Sequence, residues 1–258
     1  MKLKHLIAVI GLSFAASAHA ADMKELRVGM DPTYEPFEYK APDGKLVGFE
    51  VDLANALCAE MKMHCVFVPS AWDGIIPSLM AKKYDVILSS MSMTDERKKA
   101  VAFTDRYYKT PARIVVKRGS GIDGSVASLK GKKIGVIKGS TQETYANKVY
   151  GSAGATVIGY DTTQDSYLDM TSGRLDALVA DIVEVRSGLL NKPQGKDYQM
   201  LDRDLVDPQV FGGGVGGALR KQDTQLKDQL NLAIKAIRAN GTYQKIADKY
   251  FDFDIYGK

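Results

Sequence analysis

The chain has 258 residues, a formal net charge of +4 at pH 7, and acids interspersed with bases. This length allows two modest domains or one large one, and the lack of a basic block in the sequence argues against a nucleic-acid partner. Of the three histidines, His5 and His19 lie within a leader-like segment. A catalytic triad or a histidine metal site would depend on His64 alone, which disfavours conventional hydrolase chemistry. We expect no metal and no cofactor.

The first twenty residues have the pattern of a secretory signal peptide. Lys2 and Lys4 give a basic start, and residues 6–16 are mostly apolar. Ala18 and Ala20, on either side of His19, place small residues at the two positions that precede cleavage. The alternative is a membrane anchor, but spanning a bilayer takes about 20 apolar residues and this run is shorter. We expect cleavage after Ala20 and a soluble, exported mature protein.

Strand-like and helix-like patterns alternate after the leader. They predict strands over residues 26–30, 66–68 and 84–88, and helices over residues 51–62 and 75–82. Such alternation is typical of parallel sheets flanked by helices.

Cys58 and Cys65 are the two cysteines of the sequence. In an oxidising compartment an isolated pair at this spacing favours a disulfide over two free thiols. It would join the end of the helix over residues 51–62 to the next strand. Closing so short a loop contributes about 2–3 kcal/mol in the chain-entropy model.

The middle of the chain repeats the first pattern. Residues 133–137 predict a strand like residues 26–30, and residues 84–90 resemble residues 175–181. This second similarity places Ser90 and Asp181 at equivalent strand ends, unless two ordinary strands match by coincidence. Two similar α/β units indicate two lobes whose carboxyl strand ends face a common cleft, where open α/β sheets bind ligands.

The chain is expected to cross between the lobes near residues 109–112 and 205–213, and its tail to return to the first lobe. Two closing helices are predicted, one carrying Leu226 to Ile237 and one following Gly241. Residues 212–217 formally contain the spacing of a dinucleotide-binding loop. We reject that interpretation because no clear strand precedes them and no helix follows at once.

Polar side chains at these strand ends can clamp an amino-acid zwitterion. Arg97 can hold a carboxylate with two parallel hydrogen bonds, and residues 139–142 precede a helix whose backbone N–H groups favour an anion. Asp181 can accept from an α-ammonium with help from Ser90 and Ser92. Simpler roles stay open: Thr94 as a helix cap, Arg97 in a surface ion pair, and residues 139–141 as a plain turn.

Seven motifs in register carry a family resemblance. They are residues 31–37 (DPTYEPF), 48–53 (GFEVDL), 76–79 (IPSL), 89–94 (SSMSMT), 103–105 (FTD), 139–143 (GSTQE) and 250–257 (YFDFDIYG). With them, and with the cysteine spacing, the chain resembles the periplasmic lysine/arginine/ornithine- and histidine-binding proteins of ABC importers over nearly its full mature length.

The resemblance implies a ligand site and a role for each part of it. Arg97 and the backbone of Thr141 would bind the α-carboxylate, and Asp181 the α-ammonium. Asp31 would meet the cationic side chain, and Trp72 would sandwich its stem with a tyrosine. The full expected set is Asp31, Tyr34, Trp72, Ser89, Ser90, Ser92, Arg97, Ile137, Ser140, Thr141, Gln142 and Asp181.

The resemblance also implies a type II periplasmic-binding-protein fold. We expect one lobe from residues 21–110 and 212–258, the other from residues 111–211, and two hinge crossings between mainly parallel sheets. The protein would be a periplasmic monomer that closes on arginine, lysine, ornithine or histidine and delivers it to an inner-membrane ABC permease complex.

Trp72 departs from the leucine or phenylalanine common at this place in the family, which tilts the expectation towards arginine and admits opines. Two other function classes compete with simple binding. One is a periplasmic enzyme on the same scaffold, of the cyclic-acid dehydratase type, with Asp31, Glu35 or Asp181 as acid or base. Another is a sensory module, for which the sequence has no fused signalling segment. The zwitterion clamp favours a binding protein that is not an enzyme.

Overall fold

The computed structural model describes residues 24–257 and contains two five-stranded sheets and one three-stranded sheet. The strands are β1 (Glu25–Met30), β2 (Thr33–Tyr34), β3 (Glu38–Lys40), β4 (Leu46–Val47), β5 (His64–Pro69), β6 (Val86–Ile87), β7 (Ala102–Phe103), β8 (Ala112–Lys117), β9 (Lys133–Ile137), β10 (Thr156–Tyr160), β11 (Ala177–Asp181), β12 (Tyr198–Met200) and β13 (Ala218–Leu219). The helices are α1 (Phe49–Glu60), α2 (Ile75–Met80), α3 (Asp95–Ala100), α4 (Val126–Leu129), α5 (Thr141–Val149), α6 (Thr163–Thr171), α7 (Ile182–Val185), α8 (Pro208–Phe211), α9 (Thr224–Ala239) and α10 (Thr242–Ala247).

The expected signal peptide lies outside the described residues. Within residues 24–257, no helix combines the length and the apolar character needed to cross a membrane.

The two large sheets repeat one arrangement. Their strand orders are β5-β1-β6-β13-β7 and β10-β9-β11-β8-β12. In each, the second strand, β1 or β9, pairs in parallel with both neighbours, and the next two pairings are antiparallel. β6 and β11 occupy equivalent places, so the similarity between residues 84–90 and 175–181 is structural rather than coincidental.

The first lobe has an aromatic core that links its early and late segments. Phe37 stacks on Tyr108 at 4.9 Å between ring centroids, and Phe49 meets Phe251 edge-on at 5.0 Å. α9 and α10 pack against α1 and bury residues such as Ile234. The two closing helices thus have the packing role expected from their apolar periodicity.

The disulfide prediction is confirmed. Cys58 near the end of α1 is bonded to Cys65 in β5, with 5.8 Å between their Cα atoms. The bounds of another predicted strand differ from those in the structure. The strand predicted over residues 84–88 is shorter and covers Val86–Ile87. Tyr84, before it, is buried, and its hydroxyl donates to Ile75 O.

The chain passes between the two large sheets along two adjacent segments. Tyr108 bridges to Val215 and Ala112 bridges to Leu205, both in antiparallel fashion. The glycine run lies here and not in a phosphate-binding loop. At Gly212 the backbone φ is 68°, and an added Cβ would meet Met93 O at 2.5 Å, so a side chain is excluded.

Candidate functional site

A cavity lies between the two large sheets at the ends of β1, β6, β9 and β11. This is the edge where open α/β sheets place their ligand sites. All twelve residues of the expected ligand site line this one cavity: Asp31, Tyr34, Trp72, Ser89, Ser90, Ser92, Arg97, Ile137, Ser140, Thr141, Gln142 and Asp181.

Asp31 follows β1 and is held by neighbours from its own lobe. Its carboxylate accepts from the Thr33 hydroxyl at 2.8 Å and from the Trp72 N–H at 3.0 Å. Only 7% of the residue is exposed, and burial raises the pKa of its carboxyl. The side chain is therefore fixed in place with its charge poorly solvated.

Arg97 lies in the first turn of α3 and reaches across the cleft. One guanidinium nitrogen donates to Ser92 O at 3.1 Å, and the other donates to Gly139 O of the second lobe, also at 3.1 Å. Its guanidinium carbon lies 5.1 Å from the centre of the Trp72 ring. Burial lowers the pKa of Arg97 to about 10, so it stays cationic at neutral pH.

Thr94 does cap α3, since its hydroxyl oxygen accepts from the Arg97 N–H at 3.2 Å. Capping the helix does not exclude a role for the neighbouring Arg97, which lines the cavity. In the part of the chain that the structure describes, Arg97 has no ion pair with a surface acid.

The second lobe presents the start of α5 to the same cavity. Ser140 accepts from the Glu143 N–H at 3.0 Å, while the Glu143 carboxylate accepts from the Gly139 N–H at 2.7 Å. This pair resembles a capping box shifted by one residue, because Glu143 accepts from the residue before the cap, and it fixes the first turn and its free N–H groups. Residues 139–141 are thus a helix start and not a plain turn.

Asp181 ends β11 and caps α7. One carboxylate oxygen accepts from the backbone N–H groups of Val183 at 2.8 Å and Glu184 at 3.2 Å. The other accepts from the Thr110 hydroxyl. Burial raises the pKa of Asp181, so its position is set by the helix start while its charge stays poorly solvated.

Two buried glutamates that the sequence analysis missed organise the serines. Ser89 and Ser90 donate to Glu38 at 2.9 Å and 3.1 Å, and Glu50 accepts from the Ser90 N–H at 2.7 Å. Burial and the nearby Glu50 raise the pKa of Glu38 well above its usual range, and burial raises that of Glu50 to about 7. The Ser90 hydroxyl thus has an acid of its own lobe to receive its proton.

Glu184 is a third acid missed from the sequence. It lines the cavity three residues after Asp181, is 2% exposed, and both of its oxygens lie 2.5 Å from the Tyr167 hydroxyl. Burial raises its pKa to about 8.

The cavity holds more acids than bases. Asp31, Glu38, Asp181 and Glu184 line it, against Arg97 and Lys109. Across residues 24–257, none of these four carboxylates has a lysine or arginine nitrogen within 4.0 Å. In the same range no group of acids, histidines and cysteines is arranged to hold a metal ion. The arrangement favours a ligand that brings positive charge.

The lobes touch beside the cavity, which makes this a closed conformation. Thr163 and Gln164 of α6 donate to Thr33 O at 3.0 Å and 3.3 Å. Glu35 accepts from Lys192 at 3.0 Å and from the Ser187 hydroxyl at 3.1 Å. Contacts from both lobes thus frame the cavity.

Comparison with known proteins agrees with this architecture. The chain is 48% identical to an L-arginine-binding protein of Pseudomonas aeruginosa over 257 residues, covering 100% of this chain and 99% of that protein. It is 46% identical to a histidine-binding periplasmic protein of Salmonella typhimurium over 249 residues, covering 96% of each. Both relatives are named as binding proteins.

A solved structure of a Salmonella typhimurium periplasmic binding protein, described for its high arginine specificity, superposes with a TM-score of 0.82. The two are 33% identical over 88% of this chain and 99% of that one. Fold and cavity define a two-lobe periplasmic binding protein of type II. Residues 26–253 match the bacterial extracellular solute-binding proteins, family 3, and the chain belongs to that family.

Proposed function

We propose that this protein captures a cationic amino acid in the periplasm by lobe closure and delivers it to an ABC importer. One observation carries the proposal: four buried acids without a cation of their own, in the described residues, face a cavity that also holds the partly buried Arg97. A buried acid without a cation is costly, and a dibasic ligand would relieve that cost from two sides.

The zwitterion would be held from both lobes. Arg97 and the Thr141 N–H at the start of α5 would bind the α-carboxylate, and Asp181 with the Ser92 hydroxyl would receive the α-ammonium. Ser90 would accept from the same ammonium, because its hydroxyl donates its proton to Glu38 and keeps lone pairs for the ligand.

The ligand's side chain would extend towards the first lobe. Asp31 would pair with its cationic end, near Ser89 and Gln142, with Tyr34 and Trp72 against its stem. A guanidinium over an aromatic face gains about 0.5–2 kcal/mol, which favours arginine as the ligand. The names of the relatives, arginine-binding and histidine-binding, support a ligand of this class.

The proposed lobes are residues 21–110 with 212–258, and residues 111–211. The two bridged crossing segments would form the hinge. Closure follows binding because the ligand would contact both lobes only in the closed state. We further propose cleavage after Ala20, a monomer in solution, and an inner-membrane permease complex as the partner.

Calorimetry on the mature protein tests the proposal, after a thermal-shift screen of the twenty amino acids with ornithine, citrulline and opines. We expect arginine, lysine, ornithine or histidine to bind most tightly and neutral amino acids far more weakly. Conversion of a bound ligand into product would instead identify an enzyme. Tightest binding of an acidic or neutral ligand would refute the cationic preference.

A further inference from the structure

Glu184 lies one helical turn beyond Asp181, the residue that would receive the α-ammonium. The two acids share a helix start, since Asp181 accepts from the Glu184 N–H at 3.2 Å. Glu184 is buried, lines the cavity and receives the Tyr167 hydroxyl of α6. It therefore adds a carboxyl group to one end of the cavity, beside the ammonium position.

The groups around Glu184 leave its charge uncompensated. Tyr167 and Thr163 face it from α6, Asp181 from the start of α7, and Tyr34 and Glu35 from the first lobe. Two of these groups are acids and none is a base. Lys192 is already paired with Glu35 at 3.0 Å. Hydrogen bonds from Tyr167 and Thr163 favour the ionised form of Glu184 but do not outweigh its burial, and a cation inside the cavity would add to them.

We propose that Glu184 is a specificity-determining residue that selects ligands with a free, positively charged α-ammonium. Ligands whose α-nitrogen is acylated would lose this attraction. Ligands whose α-nitrogen carries an added carboxylate, such as opines, would be repelled. The inference rests on the proposed function, because it requires an amino acid in the cavity.

A second consequence of this role is that ligand binding releases a proton from Glu184. Burial, together with the charges of Asp181 and Glu35, keeps Glu184 protonated at neutral pH in the ligand-free protein. The arriving ammonium favours the carboxylate, and the proton passes to solvent. Binding therefore strengthens as pH rises towards 8. Glu38 and Glu50 also have raised pKa values, so loss of Glu184 should reduce this dependence without abolishing it.

The test is calorimetry of arginine, N2-acetylarginine and octopine on the wild type and on Glu184→Gln, which keeps size and hydrogen bonding but removes the charge. We expect the Kd for arginine to rise about tenfold, equivalent to about 1.4 kcal/mol, with the Kd for N2-acetylarginine unchanged. The gain in affinity from pH 6 to 8 should shrink, as should proton release measured in buffers of different ionisation enthalpy.

Two further variants complete the design. Glu184→Asp keeps the charge and should keep most of the discrimination, which a purely structural role would not predict. Glu60→Gln removes an exposed charge at the far end of α1 and should change nothing. If the wild type binds arginine but Glu184→Gln matches it in affinity, discrimination and pH dependence, this inference fails while the proposed function stands. If the wild type binds no amino acid, the proposed function fails as well.

Discussion

Acids on the lobe surfaces and acids inside the cavity are partnered differently. Asp85 lies 2.7 Å from Arg27, and Glu35 lies 3.0 Å from Lys192. Asp31, Asp181 and Glu184 have hydrogen-bond donors but, in the described chain, no lysine or arginine.

The pKa values separate in the same way. Burial alone would raise the pKa of Asp85, but hydrogen bonds from Arg27 outweigh it and lower the value. Burial prevails at Asp31, Asp181 and Glu184, whose pKa values are raised. Asp85 and Glu35 thus carry their own cation, whereas the acids of the cavity leave that place open for a ligand.

The largest effect should come from Asp31→Asn, which removes one uncompensated charge. We expect the Kd for arginine to rise about 30- to 1,000-fold, or about 2–4 kcal/mol, with a much smaller change for a neutral amino acid. Calorimetry checks this, with the exposed Asp73→Asn as the matched control. Equal losses for arginine and glutamine would show that Asp31 does not recognise the side chain.

Arg97→Lys should weaken the binding of every amino acid to a similar degree. A lysine keeps the charge but loses the fork that grips a carboxylate, so we expect a Kd about 10- to 100-fold higher for charged and neutral ligands alike. Arginine amide, which lacks the carboxylate, should bind both proteins equally weakly. A loss confined to cationic ligands would contradict the assignment of Arg97 to the α-carboxylate.

The stability of the ligand-free protein should fall as pH rises. Glu184 has a folded pKa of about 8 against an ordinary value of 4.5, so the folded state keeps a proton that the unfolded state loses between those values. Its contribution is complete below pH 4.5 and is lost towards pH 8, at no more than about 1.4 kcal/mol per pH unit. Chemical denaturation from pH 5 to 8 measures this, and Glu184→Gln should flatten the curve. An unchanged slope would mean that Glu184 is ionised without ligand.

The smallest effect should come from breaking the ion pair between Glu35 and Lys192 beside the cavity. Lys192→Met breaks a partly exposed ion pair that spans the lobes, worth about 0–1 kcal/mol. Every ligand should bind up to about fivefold more weakly, with selectivity unchanged. A loss that differs among ligands would place this pair within the ligand site.

Much of the site was predictable because its residues follow recognisable strands. β1, β9 and β11 appear as short apolar runs, and polar residues directly after them must meet at one sheet edge. Asp31 and Asp181 were found in this way. The motif around Arg97 added the residue that crosses the cleft.

The buried glutamates were not predictable for a physical reason. Glu38 bonds to Ser89 across 51 positions, and Glu184 appears in sequence as one acid on a short helix. Neither pattern shows that a carboxylate is buried, because burial depends on contacts between distant segments. The hydrogen bond from Ser90 to Glu38 is hidden in the sequence for the same reason, since the two residues lie 52 positions apart.

The chain passes between the two lobes twice, and this has a practical consequence for building a fluorescent sensor. β1 and α10 both belong to the first lobe, and Lys109 donates to Ile255 O at 3.0 Å near the tail. Labels placed near residues 25 and 255 would move as one body and stay silent when the lobes close. A donor on the outer surface of α9 and an acceptor on α4 would instead change their separation with each captured molecule.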